Sequence, residues 1–166
     1  VSETVSTYQH HTLVSPVDDV VSAVTPRVLS PDERYEALAR AVSVELVALA
    51  DRILETPSSV ELVVGPSVVS SPLRLAMPGG AGTVVVGHVA MTSCQVSLDG
   101  VRGDGIRSGR SLEASIAAAI CDAEVERGGR FTDDVHELAW TTLRQLRASE
   151  ERRAQATQQT KIGDVE

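Results

Sequence analysis

The residues that could do chemistry in this sequence are few and concentrated. Arg102, Arg107 and Arg110 stand against the single acid Asp104, among glycines, in the segment Val101 to Arg110. Guanidinium groups grip phosphate oxygens through paired N–H donors, so three of them together could clamp a polyanion such as a triphosphate. A helix expected to start at Ser111 would add its free amides to that field. The same residues read equally well as ordinary surface arginines at a hairpin end, where each contributes little. A second candidate is the turn Gly79-Gly80-Ala81-Gly82. Its backbone amides could approach a phosphate closely. It precedes a strand and lacks the Lys-Ser/Thr of a P-loop, and a β-turn that needs positive φ accounts for the glycines as well.

Other reactive side chains are isolated. His88 lies in a run of Val and Ala, where a lone strand histidine is more often structural than a ligand or base. Cys94 reads as a small buried hydrophobe, and Cys94 and Cys121 form no C-x-x-C pair. His10-His11 could touch a metal, although adjacent histidines are usually incidental. The single Trp140 reads as core or interface. There is no G-x-S-x-G and no H-E-x-x-H. The residues alone name no self-sufficient active site.

These candidates must be held by one domain, because 166 residues suit a single core. Aromatics are only 2% of the chain, so that core is built from Val, Leu, Ile and Ala. The net charge of −8 and the pI near 5.0 argue against a general nucleic-acid binder and against attachment to anionic lipid. No apolar run approaches the roughly 18 residues of a membrane span. No basic patch leads into an apolar stretch at the N-terminus, as a secretory signal would require. The expectation is a reduced cytoplasmic protein with no nucleic-acid or membrane partner.

Residues 1–30 read as a poorly ordered arm and 31–166 as the domain. Ser30-Pro31-Asp32-Glu33 is a capping box with proline at the first helical position. Tyr35, Leu38, Val42, Leu46, Leu49 and Ile53 then predict one helix that stops before Thr56-Pro57. Strands are expected at Val60–Val64, around Leu73–Leu75 and over Thr83–Leu98, separated by Pro66, Pro72 and the glycine turn. Asp99-Gly100 signals a tight hairpin with a returning strand. Ser111 should cap a helix with a narrow apolar face at Leu112, Ile116, Ala119, Ile120 and Ala123, ended by Gly128-Gly129. Thr132 should cap another whose apolar stripe fades after Leu146. The fold class is α+β: an N-terminal helix, an antiparallel β-meander, two C-terminal helices and a short tail.

The order of these pieces resembles the PhnG subunit family of the bacterial carbon–phosphorus lyase system. The matching pieces run over about residues 31–162: ERYEALARA and ELVALADRIL, Arg74 before Gly79, Gly80 and Gly82, the strand MTSCQVSLDG, Gly105 and Gly109-Arg110, the helix EASIAAAICDA, and a last helix ending in Thr-Lys-Ile. The chain departs from the family pattern at His88, at Ser93, at Ser111-Leu112-Glu113 and at Gly163-Asp164. The resemblance implies a subunit of a complex that makes a ribose 1-phosphonate 5-triphosphate from ATP and a phosphonate such as methylphosphonate, releasing adenine. It implies a PhnI-type partner, ATP as the substrate of the complex, and no cofactor on this chain. It adds Arg74 to the anion-binding candidates Arg102, Arg107, Arg110, Gly79, Gly80 and Gly82. A pure assembly subunit and an unrelated small-molecule-binding α+β domain are the competing readings.

Overall fold

The computed structural model describes residues 28–159 apart from Ala81. The expected N-terminal arm and its His10-His11 pair lie outside the described residues, except for positions 28–30. From there the capping box forms as the sequence demands. Ser30 Oγ accepts the Glu33 amide at 3.3 Å, and the Glu33 carboxylate accepts the Ser30 amide at 3.0 Å. Helix α1 runs Pro31–Arg40 and α2 runs Ser43–Leu54.

The single helix expected from residue 30 to Thr56 is thus broken in two. Ala41 and Val42 are extended, with ψ of 152° and 123°. Val42 leaves the inward stripe and is exposed, as is Tyr35. The cause is a side chain from a distant strand.

Strands β1 (Val60–Ala76), β2 (Thr83–Leu98) and β3 (Val101–Ser108) pair antiparallel in the order β1-β2-β3, which is the expected meander. Pro66 and Pro72 do not divide β1 as expected. β1 is an edge strand, where a missing N–H on the outer side costs no ladder bond. The register shifts between Val64 and Ser67, around Pro66, and again between Leu73 and Arg74. Asp99 and Gly100 turn the chain from β2 into β3 with φ of 50° and 84°, the signature of a type I′ hairpin. The Asp99 carboxylate accepts the Ser59 amide at 2.7 Å and pairs with Arg127.

Helix α3 (Leu112–Glu126) lies at the centre, between the sheet and the other helices. The narrow apolar face expected of it is too modest a reading. Every residue from Ala117 to Glu124 is buried, while Leu112 is exposed. Its polar members are paired: Glu124, with no exposure, accepts the Phe131 amide at 2.9 Å and forms an ion pair with Arg127. Gly128, with φ of 63°, ends the helix as the sequence predicts.

Helix α4 (Thr132–Gln159) follows. Thr132 does not cap it through its side chain, because its hydroxyl donates back to the Gly129 carbonyl at 2.8 Å. Beyond Leu146 the helix is almost wholly exposed as far as its side chains are described. Among the described residues no helix is long and apolar enough to cross a membrane.

The sheet accepts α3 because β3 lacks side chains where the two meet. A Cβ on Gly105 would stand 2.8 Å from the Ala119 amide nitrogen and would overlap the Ser115 carbonyl. One on Gly103 would overlap the Ala119 carbonyl and stand 2.8 Å from the Ala123 Cβ. Backbone cannot yield there as the tip of a flexible side chain could. Gly105→Ala is therefore expected to lower stability by about 3 kcal/mol in urea denaturation. Gly87→Ala, whose new Cβ meets nothing within 4 Å, should change it by far less.

Candidate functional site

The three hairpin arginines go to three different places. Side chains alternate across a strand, so positions 102 and 107 of β3 point to opposite faces. Arg107 faces the helices together with Gly103 and Gly105, and all three are buried. Its guanidinium reaches into the break between α1 and α2. It donates to the Leu38 carbonyl at 2.7 Å, the Ala41 carbonyl at 2.7 Å and Ser43 Oγ at 3.0 Å. Burial lowers its pKa below the ordinary arginine value. The expectation that it joins an anion clamp is corrected: its donors are spent on the carbonyls that α1 leaves unsatisfied.

Arg102 is exposed near the Asp99-Gly100 turn. It lines a cleft of about 390 Å³ with Arg34, Tyr35, Asp104, Asp122 and Glu126. Carboxylates prevail there, so the cleft does not favour an anion. Burial first, then Asp104 and Asp122, pushes the Tyr35 phenol up from 10.0. Arg34 is the organiser of this cleft and was not singled out in the sequence. It is buried, it donates from Nε to Asp122 Oδ1 at 2.8 Å, and it pairs with Glu126. Asp122 in turn accepts the Asp104 amide at 3.0 Å. The signal was present in the spacing, since Arg34 sits three and four residues before Ala37 and Leu38 on the inward stripe of α1.

Arg110 is exposed at the other end of β3, roughly 27 Å of strand from Arg102. It occupies a built turn. Gly109 has φ of 74°, a conformation that side chains resist. Thr92, buried on β2, donates from Oγ1 to the Gly109 carbonyl at 2.6 Å and accepts the Ser111 amide at 3.1 Å. That hydroxyl brackets Arg110 and aims it beside the start of α3. Ser111 holds the N-cap position without a side-chain cap bond, so the first amides of α3 are not satisfied by it.

The remaining candidates lie on a long hairpin. Arg74 pairs with Val85 in β1–β2. Gly79, Gly80 and Gly82 have φ of 80°, 75° and 108° and form the reversal at its end, where the Met77 amide donates to the Gly82 carbonyl at 2.9 Å. Positive φ alone accounts for glycine at these positions. His88 is exposed on the same hairpin. Cys94 and Cys121 are buried, and burial, then Glu124 and Asp122, pushes the Cys121 thiol up to about 12. Among the described residues no group of three or more His, Cys, Asp or Glu is placed to hold a metal.

Of the set named from sequence, the structure leaves one exposed arginine in a built turn beside a helix start. The same stretch also lies inside the segment that a comparison with known families covers. The model of the phosphonate metabolism protein PhnG matches residues 32–163, about four-fifths of the chain. The chain belongs to the PhnG family. Its role is therefore in phosphonate metabolism. No curated protein matches the chain significantly. The match spans all four helices and the whole sheet, so the features by which this PhnG-family chain is built belong to the matched region. They include the Gly103–Gly105 contact, the Arg107 bracket and the Arg110 turn.

Arg107→Ala should cost about 3 kcal/mol in denaturant titration, because it strips charged hydrogen bonds from two carbonyls and leaves them buried. His136 supplies a pH dependence. It is buried, its Nδ1 accepts the Leu29 amide at 3.5 Å, and burial followed by Arg34 lowers its pKa from 6.5. The folded state thus prefers neutral imidazole. Its contribution is complete above pH 6.5 and is lost as pH falls from there toward the lowered folded value. Unfolding titrations between pH 7.5 and pH 5 should show this slope in the parent and a smaller one in His136→Gln.

Proposed function

We propose that this chain is a subunit of the carbon–phosphorus lyase core complex. There it supports synthesis of α-D-ribose 1-methylphosphonate 5-triphosphate from ATP and methylphosphonate. A phosphonate oxygen bonds to the anomeric carbon of the ribose, the glycosidic C–N bond breaks, and adenine leaves with a proton. The observation that carries this reading is the family match over residues 32–163. On this reading the chain works in the cytoplasm with a PhnI-type subunit and brings no cofactor of its own, and ATP is the substrate of the complex.

The substrate carries about four negative charges on its triphosphate, whereas this chain has a net charge of −8. A contact between them needs a local positive site. Arg110 is the member of the original set best suited to it. It is exposed, the Thr92 hydroxyl fixes the turn on which it stands, and the start of α3 lies next to it. Arg102 faces carboxylates and Arg107 is committed to the fold. Arg74 and the glycines of the long hairpin stand apart, at the end of β1. The second reading, an assembly subunit that orders its partners and touches no substrate, is favoured by the apolar exposure of that hairpin.

Reconstitution with the companion subunits separates the two. With ATP and methylphosphonate, adenine release should require this chain. In the assembled complex, Arg110→Ala should weaken nucleotide binding by roughly 1.5–3 kcal/mol, the scale of a hydrogen bond to a charged group. Arg110→Lys should restore only part of it, since it keeps the charge and loses the two-pronged geometry. Unchanged ATP affinity in a complex that assembles with the alanine variant would move the anion site to a partner.

A further inference from the structure

The β1–β2 hairpin outruns its own sheet. β3 ends where Ser108 pairs with Met91, and the Gly109 amide closes the ladder on the Ala90 carbonyl at 2.7 Å. Beyond that point β1 and β2 continue alone, from the pair Ser70–Ala90 to the pair Ala76–Thr83. Seven residue pairs make an arm roughly 24 Å long and about 10 Å wide. An isolated two-stranded ribbon is marginal in water, so an arm of this length implies a surface that receives it.

Its side chains fit that implication. Residues 62–98 contain no Asp or Glu, although the chain carries 23 acids elsewhere. Leu73, Leu75, Val84 and Val89 share one face by the pairing register, and Pro72 and Val85 lie on the other. All six are exposed, Leu73 by 53% and Leu75 by 60%. The two edges differ as well. The free edge of β1 is interrupted by Pro72, whereas β2 from Thr83 to Val89 has no proline, so each residue keeps its backbone N–H where β3 has stopped, with one bulge at Val86.

We infer that this arm is the docking element of the chain and that its occupant is an apolar cleft in a companion phosphonate-metabolism subunit, which grips both faces and adds a strand along β2. The inference rests on the subunit reading above. Area decides against a second copy of this chain. Each face of the arm offers roughly 240 Å², so two copies stacked face to face would bury about 480 Å² in total, well under the roughly 1,000 Å² of a specific interface. Edge-to-edge pairing would leave both faces in water. A cleft that covers both faces buries about 1,000 Å² counting both partners, before the base of the arm is included.

The test co-expresses the tagged full chain with the companion subunits of its own source and measures their recovery. Three arm variants are compared with the parent. One replaces residues 71–89 by Asn-Gly, a two-residue hairpin turn. The others are Leu73→Asp and Val85→Asp, one on each face, at positions exposed enough to leave the fold intact. Circular dichroism and thermal melts of each variant alone verify folding. The parent should retain a companion subunit, and each variant should lose it by more than about tenfold, since each carboxylate would have to enter an apolar cleft. If the parent retains no companion, the subunit reading fails and the docking inference with it. If the parent retains one and the folded variants do so equally, only the docking inference fails. A parent that is dimeric alone by light scattering, and monomeric with Leu73→Asp, would overturn the assignment of the occupant in favour of a second copy.

Discussion

A helix backbone lying directly on a strand backbone is the contact on which this fold depends. β3 has no side chain at 103 or 105, and α3 settles into that gap with its Ser115 and Ala119 carbonyls against the glycine α-carbons. Because α3 sits so low on the sheet, α1, α2 and α4 can all close over it, and it is buried almost all round. An all-round buried helix must be small and apolar or fully paired, which explains its alanines. It also explains the treatment of its two central acids. Asp122 holds Arg34 and the Asp104 amide, and Glu124 holds Arg127 and the Phe131 amide.

Charged groups therefore do much of the positioning that aromatic packing performs in richer cores. Arg107 fixes the bend between α1 and α2, Arg34 fastens α1 to α3, and Arg127 joins the α3–α4 turn to the β2–β3 turn. Breaking a buried pair on one side is far more costly than never having built it. A chain with 2% aromatics reaches a defined geometry by this means. The consequence for function is that arginine is a poor marker of a site in this protein. Arg34 and Arg107 are committed to the fold, and only the arginines left outside can meet a ligand.

The local signals in the sequence were faithful except at two N-caps, since neither Ser111 nor Thr132 caps its helix through its side chain. The capping box at Ser30, the Asp99-Gly100 turn, the glycine that ends α3 and the fading stripe of α4 all depend on neighbours in the chain, and each formed as its residues predict. What could not be read is set from far away. The break at Ala41 is held by an arginine 66 positions later, and no helix propensity encodes it. The tolerance of β1 for Pro66 and Pro72 follows from its place at the sheet edge, which only pairing reveals. The apparent clamp of three arginines was a proximity in sequence that strand alternation undoes. That alternation was legible: odd positions 103, 105 and 107 had to face one way and 102 and 104 the other. Thr92 gave no sequence signal, since a strand threonine is commonplace until its hydroxyl meets a turn 17 residues on.

The Asp99-Gly100 turn has a bearing on the lifetime of the protein. Aspartyl-glycyl bonds age chemically when the aspartate side chain bends onto the following amide and closes a five-membered imide, which reopens mostly as isoaspartate. Here both carboxylate oxygens are engaged, one by the Ser59 amide and one by Arg127. Holding both oxygens restrains the side chain from turning onto the glycine nitrogen. The arginine that locks the turn also guards one of the two Asp-Gly bonds in the chain, the other being Asp104-Gly105. Native copies should keep an intact hairpin over long storage, and isoaspartate would mark molecules that have spent time unfolded.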